Sequence, residues 1–287
     1  MNCICCNSRA IKPSPFFLKE FYLCRDCGVI FQNRAHVNTL ADNIVHHYQD
    51  IDPHEAVALS KKAFFKYALN CLGSKIIKAE KKILDVGCGY GYFLKMALER
   101  GWEPTGIEVV EDAVKSSKQK VGCNNISQAK LETACLSENS FDAITLWDVI
   151  AIVDNPYDEL RECYRLLKKG GIIGIRTRNV LFQTLVFRFF GFIRRIALRL
   201  GLKEPYVFNK YCFSSKSIHS LLCRLGFINI KIVNSPLTSG DPYNHMPFSY
   251  LVKLAKAFIN IDSKFIFWIT HGRWLTAPSL LIWAEKP

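Results

Sequence analysis

The sequence is short of negative charge: 25 Asp and Glu stand against 38 Lys and Arg in 287 residues, a formal net charge of +13. This excludes the strongly acidic, aromatic-poor composition of solvating disordered chains, and 49% hydrophobic content is enough for a full core. A long uncharged apolar run is also missing. The best stretch is broken by Arg188, Arg194, Arg195 and Arg199, so it falls short of the roughly 20 residues a spanning helix needs. The start, Met1-Asn2-Cys3-Ile4-Cys5-Cys6, lacks the basic-then-apolar order of a secretory signal. The 12 cysteines therefore read as those of a reducing compartment, not as a secreted disulfide scaffold. No internal repeat or low-complexity tract is visible. We expect a soluble cytoplasmic protein or one attached peripherally to the inner face of the membrane, with one large domain plus a small appendage, or two modest domains.

The positive charge that is present is unevenly placed. Lys and Arg against Asp and Glu number 5 to 2 over residues 1–34, 19 to 19 over 35–179, 9 to 1 over 180–232 and 5 to 3 over 233–287. A local basic field of this kind suits an anionic partner: lipid headgroups, nucleic acid or a phosphorylated substrate.

Cys3, Cys6, Cys24 and Cys27 form two C-x2-C pairs separated by seventeen residues, a spacing of structural zinc sites. Each pair can wrap a tight turn, and two turns supply the four thiolates of a tetrahedral zinc. Gly28 permits the positive φ such a turn often needs, and Phe16, Phe17, Phe21 and Tyr22 offer apolar packing. Cys5 is expected as a bystander and His36 as a less favoured ligand; ordinary buried cysteines are the alternative. Residues 1–34 thus read as a zinc ribbon and 35–80 as a helical connector. Residues 81–287 read as an α/β domain with helical insertions at about 178–212 and 236–277.

In that domain strands are expected at 83–86, 103–108, 124–128, 141–147, 171–177, 227–233 and 278–284. Helices are expected at 91–100, 111–121, 156–168 and 214–225. The alternation indicates a parallel sheet with helices on both faces. The first strand runs into Gly87-Cys88-Gly89-Tyr90-Gly91, a turn that brings backbone close to a ligand at the carboxyl edge of the sheet. Two details separate it from a pyrophosphate loop: the G-x-G-x-G spacing, and the carboxylate of Asp85 just before it. An anion prefers unopposed N–H groups; a carboxylate suits a ligand with an ammonium group. Glu108, ending the next strand, is placed to accept hydrogen bonds from two ribose hydroxyls.

Four segments in this order, Ile83 to Gly91, Gly106-Ile107-Glu108, Phe141 to Asp148 and Leu166 to Gly171, resemble the class I S-adenosylmethionine-dependent methyltransferases over roughly residues 80–287. The nearest likeness is to the ubiquinone-biosynthesis-like branch, some of whose members carry an N-terminal zinc ribbon. The resemblance implies a Rossmann-like, seven-stranded sheet whose last strand, about 278–284, inserts antiparallel. It implies that Asp85 and the turn of Gly87, Cys88, Gly89 and Gly91 hold the methionine end of the cofactor and that Glu108 holds the ribose. It further implies that Leu131 and Glu132 border the adenine, and that Trp147 and Asp148 line the pocket near the methyl group. A plain surface loop is the less favoured reading of Leu131 and Glu132, whereas Trp147 reads equally as core packing and Asp148 as a helix cap.

The sequence departs from that branch where a Glu-His pair commonly follows the fourth strand; here Ala151-Ile152 stand instead. A histidine often found before an aromatic-Phe-Ser segment is also missing from Asn209 to Ser214. Methyl transfer survives such losses, because the sulfonium is an excellent leaving group and much of the task is alignment. A base is needed when the acceptor must lose a proton. The departure points to an acceptor needing little activation, to a base from elsewhere, or to weak or absent turnover. Asp148, Tyr157, Tyr211, His219 and His245 are candidate replacements with no spacing that selects among them, so no catalytic residue is assigned.

From Val180 to Leu200 bulky apolar residues surround four arginines, of which Arg188, Arg195 and Arg199 fall within about 40° on a helical wheel. An arginine stripe on a broadly apolar helix suits a membrane interface. Phe248 to Trp268 is a second such stretch, and the resemblance implies that insertions at these two positions roof the acceptor pocket. A lid alone, a lid that touches lipid, and nucleic-acid contact are the three readings, the last less favoured because the charges lie among aliphatics. The function expected is methyl transfer from S-adenosylmethionine to a small-molecule, sugar or lipid-linked acceptor. The alternatives are an RNA methyltransferase and a cofactor-binding protein impaired in catalysis.

Overall fold

The computed structural model describes residues 2–14, 21–32, 54–122, 125–185, 188, 209–238 and 249–287, with backbone alone at 54–59 and 249–256. Phe16, Phe17, His36, His245 and most of the 180–200 stretch lie outside the described residues.

Apolar runs make the central strands. Phe141–Trp147 (β7) is buried at every position, as a strand covered on both faces must be. Beside it lie β4 (Lys82–Val86), β5 (Glu103–Glu108), β6 (Ile126–Gln128) and β8 (Leu167–Arg178). With β10 (Ile228–Asn234) and β11 (Ser279–Glu285) they form a seven-stranded sheet in the order β10-β11-β8-β7-β4-β5-β6. β11 runs antiparallel to both β8 and β10, and the pairs among β4 to β8 are parallel. The expected architecture, last strand included, is the observed one.

Helices pack on the two faces. On one, α1 (His54–Lys75) and α2 (Tyr92–Leu98) bury Phe64, Leu69, Leu72 and Phe93 against Trp147 and Trp283. α3 (Glu111–Val121) follows β5. On the other, α4 (Pro156–Leu166) presents Leu160, Cys163 and Leu166, a three-residue repeat that keeps one helix face inward. Its start is fixed by Asn155, whose side chain accepts from the Tyr157 and Asp158 amides, and by Pro156 in the first turn. α5 (Ser215–Arg224) opens on a reciprocal Ser214/Ser217 capping box. α6 (Ser249–Ile269) lies in the 236–277 insertion.

The N-terminal residues form a second sheet: β1 (Ile11–Pro13), β2 (Phe21–Cys24), β3 (Ile30–Gln32) and, from far along the chain, β9 (Tyr211–Cys212). β9 pairs with β3 through Ile30 with Cys212 and Phe31 with Tyr211. The ribbon is also tied to α5. Ser214 Oγ donates to the Cys27 carbonyl at 2.6 Å, and Arg224 donates to the Ile4 and Cys5 carbonyls at 2.8 and 2.9 Å. Cys3, Cys5, Cys24 and Cys27 lie in the same apolar cluster as Leu84, Ile144 and Phe213.

Candidate cofactor site and zinc cluster

The chain leaves β4, builds β5 and β6 on one side and returns to build β7 on the other, so the crevice between β4 and β7 is the sheet's switch point, where open α/β folds bind ligands. Asp85 lies buried at that edge, in register with Thr145 of β7, whose hydroxyl donates to Asp85 Oδ1 at 2.6 Å. Burial pushes the Asp85 carboxyl up to about 7, with the charge of Glu108 adding to the rise and the Thr145 hydrogen bond and Lys61 opposing it.

Glu108 ends β5 and is also buried. One carboxylate oxygen accepts from the Gly89 amide at 2.9 Å, the other from the Val109 and Val110 amides at 2.7 and 3.1 Å. It thereby joins the glycine turn to the start of α3. The Gly87 and Cys88 amides complete the tie by donating to the Ile107 carbonyl at 2.8 and 3.1 Å. At Gly91 a Cβ would meet Ser117 Oγ at 2.2 Å, so the turn is pressed onto α3 there. At Gly89 a Cβ would have nothing within 4 Å. The turn is packed on one side and open on the other, the form a backbone cradle for S-adenosylmethionine requires, with the Asp85 and Glu108 carboxylates on adjacent strand ends beside it. These residues fit the cofactor.

The other predicted contacts divide. Cys88 offers backbone, since its side chain is buried with Leu94, Val114 and Ile126 and its thiol is pushed up by that burial and by Asp85 and Glu108. Leu131 is buried and Glu132 exposed in a short 3-10 turn (Leu131–Thr133) beyond β6, whose Gln128 is in register with Glu108. Trp147 is buried among Phe64, Phe93 and Trp283, each ring edge-on at 5.0, 5.3 and 6.1 Å.

Asp148 has a left-handed backbone, φ 68, and its carboxylate is gripped by Lys61 Nζ of α1 at 2.8 Å and by Arg176 Nη1 of β8. Burial would raise this carboxyl, but Arg176 and Lys61, with Arg178 beyond, hold it well below the usual carboxylate range. So firmly ionised a group is a poor proton acceptor. Ala151, where the related branch has glutamate, is buried, and its carbonyl accepts from the Tyr211 amide at 3.0 Å. The Tyr211 hydroxyl donates to the Asp154 carbonyl at 3.1 Å. Tyr157 lies under the Arg224 guanidinium at 4.8 Å, and His219 sits on exposed α5 surface beside Cys223. Thr145, Lys61 and Arg176 escaped the sequence reading; an arginine inside an apolar strand was the one signal available for them.

In the ribbon, the Sγ atoms of Cys3, Cys6, Cys24 and Cys27 all lie within 4.8 Å of one another, with Cys3–Cys27 and Cys6–Cys24 both at 3.6 Å. A tetrahedral zinc with Zn–S bonds of about 2.3 Å sets its sulfurs about 3.8 Å apart, so the four thiols fit the metal. Cys5 is buried beside them and its thiol is pushed up, first by Cys27 and Cys3 and then by burial.

The seven-stranded sheet with its inserted antiparallel strand and the glycine turn at the switch point define a class I S-adenosylmethionine-dependent methyltransferase fold. Residues 84–175 match the Methyltransferase domain family, so the chain carries that domain. An O-methyltransferase of ubiquinone biosynthesis from Pseudomonas entomophila is 31% identical over 116 residues, which is 39% of this chain and 50% of the relative. The chain thus spans about half the length of the curated relatives it matches. Among solved structures, an S-adenosylmethionine-dependent methyltransferase from Thermotoga maritima superposes with a TM-score of 0.53 at 17% identity, covering 88% of this chain and 100% of the other. A geranyl diphosphate C-methyltransferase from Streptomyces coelicolor superposes with a TM-score of 0.51 at 18% identity, covering 77% and 79%.

Proposed function

We propose that the protein transfers a methyl group from S-adenosylmethionine to a small-molecule, sugar or lipid-linked acceptor, and that Cys3, Cys6, Cys24 and Cys27 hold a structural zinc. The observation that carries the reading is the pair of buried carboxylates, Asp85 and Glu108, on adjacent strand ends around the open Gly89 backbone. When bound, the cofactor supplies an electrophilic methyl group on a sulfonium. The chain would supply the rest: Asp85 would hold the ammonium end, Glu108 the ribose hydroxyls, and Leu131 and Glu132 would border the adenine. The O-methyltransferase of ubiquinone biosynthesis that the chain resembles supports a small-molecule acceptor.

Neither Asp148, held ionised by Arg176 and Lys61, nor Tyr211, whose hydroxyl donates to the Asp154 carbonyl, is placed to take a proton from the acceptor. Calorimetry tests the cofactor assignment: Asp85→Ala with Glu108→Ala abolishes S-adenosylmethionine binding while the sheet stays folded by circular dichroism. Undiminished affinity would sink it. Tight binding with no methylated product from lipid, sugar and RNA extracts would leave a cofactor-binding protein in place of an enzyme.

A further inference from the structure

α6 carries an apolar face with nothing packed on it among the described residues. Phe258, Ile261, Phe265 and Trp268 are 72%, 68%, 58% and 73% exposed, and Trp274, just past the helix end, is 62% exposed. At about 100° per residue the four helix positions, with Ile269, fall within an arc of about 100°. Scattered exposed apolar residues are ordinary; a contiguous row of large ones marks an interaction surface. The opposite side of the helix is the docked one. Asn234 of β10 donates to the Ser263 carbonyl at 3.2 Å, Ser263 is buried, and Phe267 packs on the main core. The exposed row is therefore what remains after the helix has satisfied its contacts with the sheet.

We propose that this face seats the protein on an anionic lipid bilayer. Phenylalanine, isoleucine and tryptophan at one face, rimmed by cations, is the composition of a helix lying in a membrane interface. Over residues 249–274 the chain has Lys253, Lys256, Lys264 and Arg273 against Asp262 alone. Exposed Lys264 borders the row on one side and exposed Asp262 on the other, and exposed Arg273 stands between the helix end and Trp274. A second copy of the chain is a poor occupant, because a two-fold contact brings together two molecules that each carry a net charge of +13. No described helix is long and apolar enough to cross a membrane, so the contact is interfacial.

The seat also has a fixed relation to the cofactor edge. The segment leaving α6 is pinned by Asn179, directly after β8, whose side chain donates to the Leu275 and Ala277 carbonyls at 2.7 and 2.9 Å. β11 then starts with Ser279 opposite Arg178, at the carboxyl end of β8. The lipid-facing row is thus anchored at the same edge of the sheet as Asp85 and Asp148, an inference that holds whatever acceptor is used.

The test is sedimentation of the full chain with vesicles of phosphatidylcholine alone and of phosphatidylcholine mixed with phosphatidylglycerol. The protein pellets with the anionic vesicles. Phe265→Ser with Trp268→Ser lowers that partition by at least about tenfold with Tm unchanged, and Lys264→Glu with Arg273→Glu weakens it on anionic vesicles. Failure to pellet with either vesicle, or wild-type pelleting by the serine variant, overturns the proposal. So does a concentration-dependent dimer dispersed by the serine variant without vesicle binding, which would give the face to a second copy. Cofactor calorimetry on the same samples keeps the two proposals apart: binding of S-adenosylmethionine without lipid sinks the lipid seat alone, and binding of lipid without cofactor sinks the methyltransferase reading alone.

Discussion

Gly89 and Gly91 share one turn and positive φ, yet each is glycine for its own reason. At Gly91 an added methyl collides with α3 at Ser117; Gly91→Ala should cost about 3 kcal/mol, read as a fall in Tm. At Gly89 the space is open, so Gly89→Ala should cost only the left-handed backbone penalty of about 1–2 kcal/mol and yet remove cofactor binding. Cofactor affinity surviving Gly89→Ala would mean that the open side of the turn is not the cradle.

Asp85 makes a second prediction at this scale. Its carboxyl titrates near 7 in the folded protein against an ordinary value of 3.8, so between those values the native state holds a proton the unfolded chain has lost. Stability from this group is therefore present at low pH and declines as pH rises from about 4 to about 7. An ammonium partner favours the ionised form. Cofactor affinity should accordingly climb with pH up to about 7, by at most about tenfold per unit, with proton release measurable by calorimetry in buffers of different ionisation enthalpy. Asp85→Asn should flatten both profiles.

At the scale of elements, the two-residue strand β9 does more than its length suggests. It pairs with β3 on one side, and on the other the Tyr211 amide donates to Ala151, in the loop that follows Asp148. Asp154 of that loop is bound by Lys210 Nζ at 3.1 Å and Lys130 Nζ at 2.9 Å. The thiol cluster therefore braces the loop beside the crevice. Cys24→Ser with Cys27→Ser should remove about one zinc per chain by metal analysis. It should also speed hydrogen exchange of the Tyr211 and Ile152 amides by about tenfold or more, roughly 1.4 kcal/mol of local opening, while β4 stays protected. Unchanged exchange at Tyr211 would show the ribbon to be a passive neighbour. β4 and β7 were legible in the sequence as short, mostly apolar runs bounded by turns, and β5, Glu-Pro-Thr-Gly-Ile-Glu, through its place in the strand–helix alternation. β9 was not, since two residues carry no periodicity and its partner is remote. The clasp of Lys61 and Arg176 on Asp148 was hidden for a like reason: three elements brought together only by folding supply it, and no local spacing encodes it.

Across the whole molecule, the ribbon cysteines and the strands β4 and β7 share one apolar cluster, so the N-terminal unit is built into the methyltransferase domain, not hung from it. The Cys3-Cys6-Cys24-Cys27 spacing announced the ribbon, and the glycine turn with Asp85 and Glu108 announced the site. The joint between them follows from β9 and from Ser214 and Arg224 of the α5 region, whose partners lie at Cys27, Ile4 and Cys5.

That joint sets an order of assembly. β3 ends at Gln32 and the strand that completes its sheet begins at Tyr211, so a chain emerging from the ribosome carries the N-terminal hairpins with an open β3 edge while β4 through β8 are made. An unpaired edge of this kind is a site for misassociation until its partner arrives. The four thiols, all within the first 27 residues, are ready much earlier. The proposed zinc would hold the ribbon in shape during that interval, and closure by β9 would then couple the end of ribbon folding to completion of the domain that bears the cofactor edge.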